Sequence, residues 1–175
     1  MNRAVLHLSI IVAVLVVAYG CSRALSSEPA TETVPLTVIG SGPVADTADL
    51  QPGALWIRDR NQLQALMNRL PGGKLIQRRA DGLADIDFAA ADLLLVWMGR
   101  KRTGGYALDA AADQAVIENR SAIVPVRRIE PPQGAVVAQM ITNPYLLLRI
   151  GEGAFDTITI VDPDGPGTMV VTPYP

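Results

Sequence analysis

Residues 93–111 read LLLVWMGRKRTGGYALDAA, and two strands separated by a glycine-bearing loop can be read from that stretch. Leu93 to Met98 is a continuous apolar run that reads as a buried strand. Past the loop, Tyr106, Leu108 and Ala110 alternate with Ala107, Asp109 and Ala111, the period of two that a half-buried strand shows. Strand character persists downstream at Ala115 to Glu118, Ala122 to Val126, Val136 to Thr142, Leu146 to Ile150, Thr157 to Val161 and Met169 to Thr172. Short strands at this spacing, broken by Gly, Pro and Asn, predict an antiparallel sandwich or barrel. Pro125 cannot donate to a ladder, so its run is expected at an edge or a bulge.

Upstream of this region one helix is predicted, over Arg60 to Leu70. Leu63, Leu66, Met67 and Leu70 fall on one apolar face at i, i+3, i+4 and i+7. Asp59 with Gln62 three residues on supplies an N-terminal cap, and Pro71-Gly72-Gly73 ends the helix. The fold class expected is therefore α+β, mainly antiparallel strands with one N-terminal amphipathic helix. No internal repeat is evident, and residues 36–175 read as one domain.

The chain has 175 residues, 49% of them hydrophobic, 18% charged and 5% aromatic. That composition excludes a disordered polyanion and a multi-span membrane protein. A net charge of -2 leaves no electrostatic footprint for nucleic acid. The single histidine and the single cysteine both lie near the N-terminus, at His7 and Cys21.

Residues 1–20 read as a targeting segment. Arg3 supplies a positive start, and an almost unbroken apolar run from Ala4 to Ala18 leads to Tyr19-Gly20-Cys21. A small residue before a lone cysteine resembles the lipobox of bacterial lipoproteins, although Ala18 stands where Leu is usual and Tyr19 where a small residue is usual. The resemblance implies cleavage before Cys21 and lipidation of its sulfur; the alternative is a retained single-span anchor at the short limit for spanning. In either case the rest of the chain is expected outside the cytoplasm. Ser22, where lipoproteins kept at the inner membrane have Asp, implies an outer-membrane anchor facing the periplasm. Residues 21–35, including SRALSSEPATETVP over 22–35, have little to bury and read as a flexible tether with a reach of about 20 Å.

Loss of residues 1–20 takes the only histidine with it. A Ser-His-Asp triad, a Cys-His pair and a histidine-containing zinc site then cannot be built. Lipidated Cys21 cannot be a nucleophile or a disulfide partner. No catalytic residue, cofactor or metal is expected.

Candidate binding residues lie in three loops. The first, Gly99 to Tyr106, holds Arg102, Thr103, Gly104 and Gly105; adjacent glycines suit either a tight hairpin or a close-approach surface. The second is Pro131-Pro132-Gln133-Gly134, where paired prolines hold an extended loop suited to a preformed surface or to a connector. In the third, Asn143-Pro144-Tyr145, Asn-Pro initiates a turn and Tyr145 opens the next strand. Asp162-Pro163-Asp164-Gly165 resembles part of a calcium loop, but the oxygen ligands do not continue, and a plain turn is expected. Asp85 with Asp87 lacks the surroundings of a hydrolytic carboxylate pair.

Taken in order, Ile86-Asp87-Phe88, Leu94 to Gly99, Thr103-Gly104-Gly105-Tyr106, Pro131-Pro132-Gln133-Gly134, Gln139 and Thr142-Asn143-Pro144-Tyr145 resemble the C-terminal domain of the protease complex subunit PrcB. The resemblance covers about Trp56 to Val161. It implies a non-catalytic protein that associates with and stabilises a secreted serine protease, and members of that family are often lipoproteins. The three loops are then the expected partner-binding surface, with Arg100-Lys101-Arg102 a more basic approach than the family usually has. A fainter similarity joins the Thr103-Gly104 loop to chagasin-type peptidase inhibitors, without their Asn-Pro or Arg-Pro-Trp. The alternatives to a partner-binding subunit are thus such an inhibitor and an envelope structural or ligand-carrying lipoprotein.

Overall fold

The computed structural model describes residues 31–44, 51–69 and 82–173. The strands are β1 (Glu32–Val44), β2 (Gly53–Ile57), β3 (Ala91–Trp97), β4 (Ala107–Ala110), β5 (Gln114–Glu118), β6 (Ser121–Ile129), β7 (Asn143–Gly151), β8 (Thr157–Val161) and β9 (Thr168–Val171). Helix α1 (Arg60–Arg69) follows β2, and a 3-10 turn at Leu83–Asp85 precedes β3. They form one sheet in the order β2-β3-β7-β1-β5-β6-β8-β9, with β4 also paired to β6. A parallel bridge between Trp56 and Pro173 brings the two edge strands together, so the sheet is a nearly closed barrel and not a sandwich of two sheets. It is also mixed, because β6 and β8 run parallel while the other strand pairs are antiparallel.

The unbroken apolar runs of β3 and β7 have a direct cause in the layers they separate. Leu94, Val96, Leu146, Leu148 and Ile150 join a core that also holds Val34, Leu36, Val124 and Ile158, inside the barrel. Their neighbours Leu93, Leu95, Tyr145 and Leu147 join a second core with Ile57, Leu63, Leu66 and Met67, beneath α1. Successive side chains of a strand point to opposite faces, so a strand with a core on each face must be apolar at every position. Elsewhere one face meets solvent and alternation returns, as in β6, where Ala122, Val124 and Val126 are buried and their neighbours are not.

Helix α1 begins as its sequence predicts. The Gln62 amide N–H donates to Asp59 Oδ1 at 2.8 Å, while the Gln62 side chain accepts from the Arg58 N–H at 2.9 Å. These bonds satisfy donors that a helix start otherwise leaves open. Leu63, Leu66 and Met67 are its buried face; Leu70 and the Pro-Gly-Gly stop lie outside the described residues.

Three expectations are corrected by the fold. The sheet starts at Glu32 and not at Leu36, with Val34 in the core, so residues 32–35 are strand where a tether was expected. β1 changes partner along its length, pairing β5 over Glu32 to Pro35 and β7 from Leu36 onward, with a register shift between Val38 and Gly40. Secondly, β6 is interior despite Pro125. The Pro125 carbonyl accepts from Ala111 N at 2.9 Å, and a strand residue's N and O point to the same side. The missing N–H therefore falls where the neighbour of β6 changes from β5, which pairs with Ser121 to Ile123, to β4, which pairs with Val126 to Ile129. Thirdly, Val136 to Thr142 is not a strand but an irregular segment that contacts the barrel through isolated hydrogen bonds.

Candidate functional site

The loop leaving β3 and the segment leaving β6 are far apart in sequence and lie side by side in the fold. Lys101 and Thr142 exchange both backbone hydrogen bonds, at 2.8 and 3.0 Å. The Thr142 hydroxyl donates to the Thr103 carbonyl at 3.2 Å, and the Gly104 N–H donates to the Ala138 carbonyl at 2.8 Å. The two segments thus make a short irregular ribbon projecting from one end of β3 and β7.

Within this ribbon Gly105 serves close approach, and the two glycines do not turn a hairpin. β3 and β4 are not paired to each other, β3 lying between β2 and β7 while β4 pairs with β6. Gly105 has φ +87°, and a Cβ there would lie 3.0 Å from both Pro131 Cβ and Val137 Cγ1. Only a residue without a side chain lets the chain pass at that distance in that conformation. Tyr106 is half-buried, and its ring carries the Lys101 ammonium 5.0 Å from its centroid. Arg100 and Arg102 are exposed. None of these three cations is in an ion pair among the described residues.

Opposite lies Pro131 to Ile141, PPQGAVVAQMI, a stretch without one charged residue. Pro131 is half-buried against Gly105, while Pro132, Gln133 and Gly134 are exposed around a turn closed by Ala135 N donating to Pro132 O at 3.0 Å. Val136 is fully exposed at 104% and Met140 is 45% exposed. Val136 in that state has no packing role in the barrel, and a reading that placed both side chains in a strand did not show their exposure.

Asn143, Pro144 and Tyr145 are corrected as binding-loop residues. They are the first three residues of β7 and all are buried, Asn143 at 4% exposure and Tyr145 at 2%. The Pro144 carbonyl accepts from Met98 N at 2.9 Å, which fixes the start of the first loop. These residues support the ribbon from beneath and offer no surface. Both polar atoms of the Asn143 side chain are buried without a hydrogen-bond partner among the described residues.

The carboxylate candidates resolve as structural groups. Asp87 Oδ1 accepts from Ala89 N at 2.9 Å, capping the turn into β3. Asp162 accepts from Asp164 N at 3.2 Å and from Gly165 N at 3.3 Å, and Asp164 pairs with Arg127, so the Asp-Pro-Asp-Gly segment is a turn. Among the described residues, no three His, Cys, Asp or Glu side chains group as metal ligands.

Sequence reasoning missed a half-buried acid at the other end of β3. Asp92 accepts from Trp56 Nε1 at 2.8 Å and has Arg58 Nε at 3.7 Å. It borders a cavity of about 180 Å³ with Phe88, Glu152 and Phe155, and Trp56 stacks on Phe155 with centroids 5.4 Å apart. Burial pushes the Asp92 carboxyl above its ordinary value, against the Trp56 hydrogen bond and the Arg58 charge, which lower it. The signal available in the sequence was an aspartate opening an otherwise apolar strand.

The PrcB C-terminal family model matches residues 93–151, which run from the first fully buried leucine of β3 to the end of β7. That span contains both segments of the ribbon and the strands that carry them; Ile86-Asp87-Phe88 lies outside it. No curated protein and no solved structure matches the chain.

Proposed function

We propose, on the match of residues 93–151 to the PrcB C-terminal family model, that this chain is a PrcB-like, non-catalytic, lipid-anchored envelope protein that binds another protein, a protease it stabilises, through the ribbon. The observation that carries this reading is the charge-free exposed segment Pro131 to Ile141 braced on the Thr103 to Tyr106 loop. Interface cores are depleted of charge and enriched in Met and Arg relative to the rest of a surface, and exposed Met140 on one segment with exposed Arg100 and Arg102 on the other fits that composition. The bracing by Gly104, Gly105 and the two prolines presents the surface already ordered, so little entropy is lost on docking. Cys21 carries the lipid in this reading and holds the domain at the outer membrane, facing the periplasm; that residue lies outside the described ones.

The test is an Arg102→Ala, Gln133→Ala double variant. Both side chains are exposed on the ribbon, so the melting temperature is expected to stay within a degree or two of wild type. Affinity for the protein recovered with the wild-type chain from envelope extract is expected to fall by about 2 kcal/mol or more if either residue is an anchor. Undiminished affinity in a folded double variant removes the ribbon as the contact.

A further inference from the structure

Val136 and Met140 are the exposed aliphatic side chains of the uncharged segment, and the cations Arg100, Lys101 and Arg102 stand directly across the ribbon from it through the Lys101–Thr142 bridge and the Gly104–Ala138 bond. On a chain of net charge -2, three consecutive cations without an ion-pair partner among the described residues are a local reversal of sign. Glu130 is the only carboxylate from residue 130 to residue 142.

Resting on the partner-binding reading above, we infer that the face docking on this ribbon is an apolar recess rimmed by carboxylates, with Val136 and Met140 entering the recess and Arg100 and Arg102 meeting the rim. Desolvating two aliphatic side chains supplies contact affinity, while opposite charge around them steers encounter and fixes orientation. An anionic bilayer offers the same two chemistries and fits less well. Gln133 and Gln139 are exposed on the same segment, and their amides need individual hydrogen-bond partners, which a protein rim supplies and hydrocarbon does not.

The experiment places a benzophenone side chain at position 136, and separately at 102, in the full chain in cells. The crosslinked partner segment is then identified, and binding of the purified partner is measured across a salt series with Arg100→Glu, Arg102→Glu and Val136→Asp variants. The expected result is a crosslink from both positions to a segment of apolar residues flanked by Asp or Glu. Val136→Asp should weaken binding at all salt concentrations. The Arg100→Glu, Arg102→Glu pair should weaken it about tenfold or more at low salt and flatten the salt dependence. A specific crosslink to a segment without carboxylates, or a charge-reversed pair with unchanged salt dependence, overturns this inference and leaves the partner-binding reading standing. Absence of any protein crosslink from either position overturns both. Binding of residues 31–175, which hold both cores, to phosphatidylglycerol vesicles with loss on Val136→Asp would assign the surface to lipid instead.

Discussion

The indole N–H of Trp56 donates to the carboxylate of Asp92 at 2.8 Å, across the pair of strands β2 and β3. Trp56 is 1% exposed, so its N–H has no water to turn to, and the acceptor has to come from the neighbouring strand. The same carboxylate is partly desolvated, with its proton affinity raised by burial.

A pH dependence follows. An acid whose folded value exceeds its unfolded one binds protons more tightly in the fold, so stability attributable to Asp92 is greatest below its ordinary value of 3.8 and declines as pH rises through the raised one. Asp92→Asn keeps an acceptor for Trp56 and removes the charge. Its unfolding midpoint at pH 7 is expected to equal or exceed that of wild type, with a flatter profile above pH 3.8. Asp92→Ala orphans the indole N–H and should cost about 1–3 kcal/mol. Thermal unfolding from pH 3 to pH 8 checks both; a midpoint for Asp92→Asn far below wild type at pH 7 would mean the charge stabilises the fold.

Gly105 and Gly134 separate strain from crowding. Both have positive φ, +87° and +81°, but a Cβ meets Pro131 and Val137 at 3.0 Å in the first case and nothing within 4 Å in the second. Gly134→Ala should therefore cost about 1 kcal/mol, the backbone term alone, and Gly105→Ala distinctly more. Equal losses in urea unfolding would show that the ribbon yields freely at Gly105.

Leu147 and Leu148 are neighbours that serve different cores, the first beneath α1 and the second inside the barrel. Each Leu→Ala change is expected to cost about 2–5 kcal/mol, because each opens a cavity in a closed layer. A loss below about 1 kcal/mol for either one, measured by denaturant titration, would mean that its face of β7 is not packed.

Cys21→Ser is expected to move the protein from the membrane to the soluble fraction while the domain stays folded. Stable anchoring takes more than one acyl chain, which lipidation of a lipobox cysteine supplies. Fractionation with mapping of the mature N-terminus checks it, and an N-terminus other than Cys21 in the wild-type chain counts against lipidation.

Much of this fold was legible because strand period reports the number of buried faces. Leu93 to Met98 and Leu146 to Ile150 read as strands for that reason, and α1 was fixed by its leucine spacing and the Asp59–Gln62 cap. β1 was not legible. Its apolar residues are interrupted by Pro35, Gly40, Gly42 and Pro43, and it holds its place by pairing with β7 and β5, which no local pattern announces. The ribbon was half legible: the loops were marked by Gly and Pro, whereas their mutual packing depends on a topology that sets the start of β7 beside the end of β3. Asn143 to Tyr145 misled because Asn-Pro initiates turns in general, and here the strand simply begins there.

The partner change along β1 has a consequence for the order of assembly. Leu36 pairs with Ile150 and Val34 with Ala115, so β1, the first strand among the described residues, is completed on one side by β5 and on the other by β7, much later in the chain. When a polypeptide emerges from its N-terminus, β1 stays an open edge until β7 arrives. Closure of the sheet is then governed by long loops and not by local hairpins, which makes folding slow for a domain of this size. Glycines and prolines along β1 disfavour its pairing with other chains while it waits.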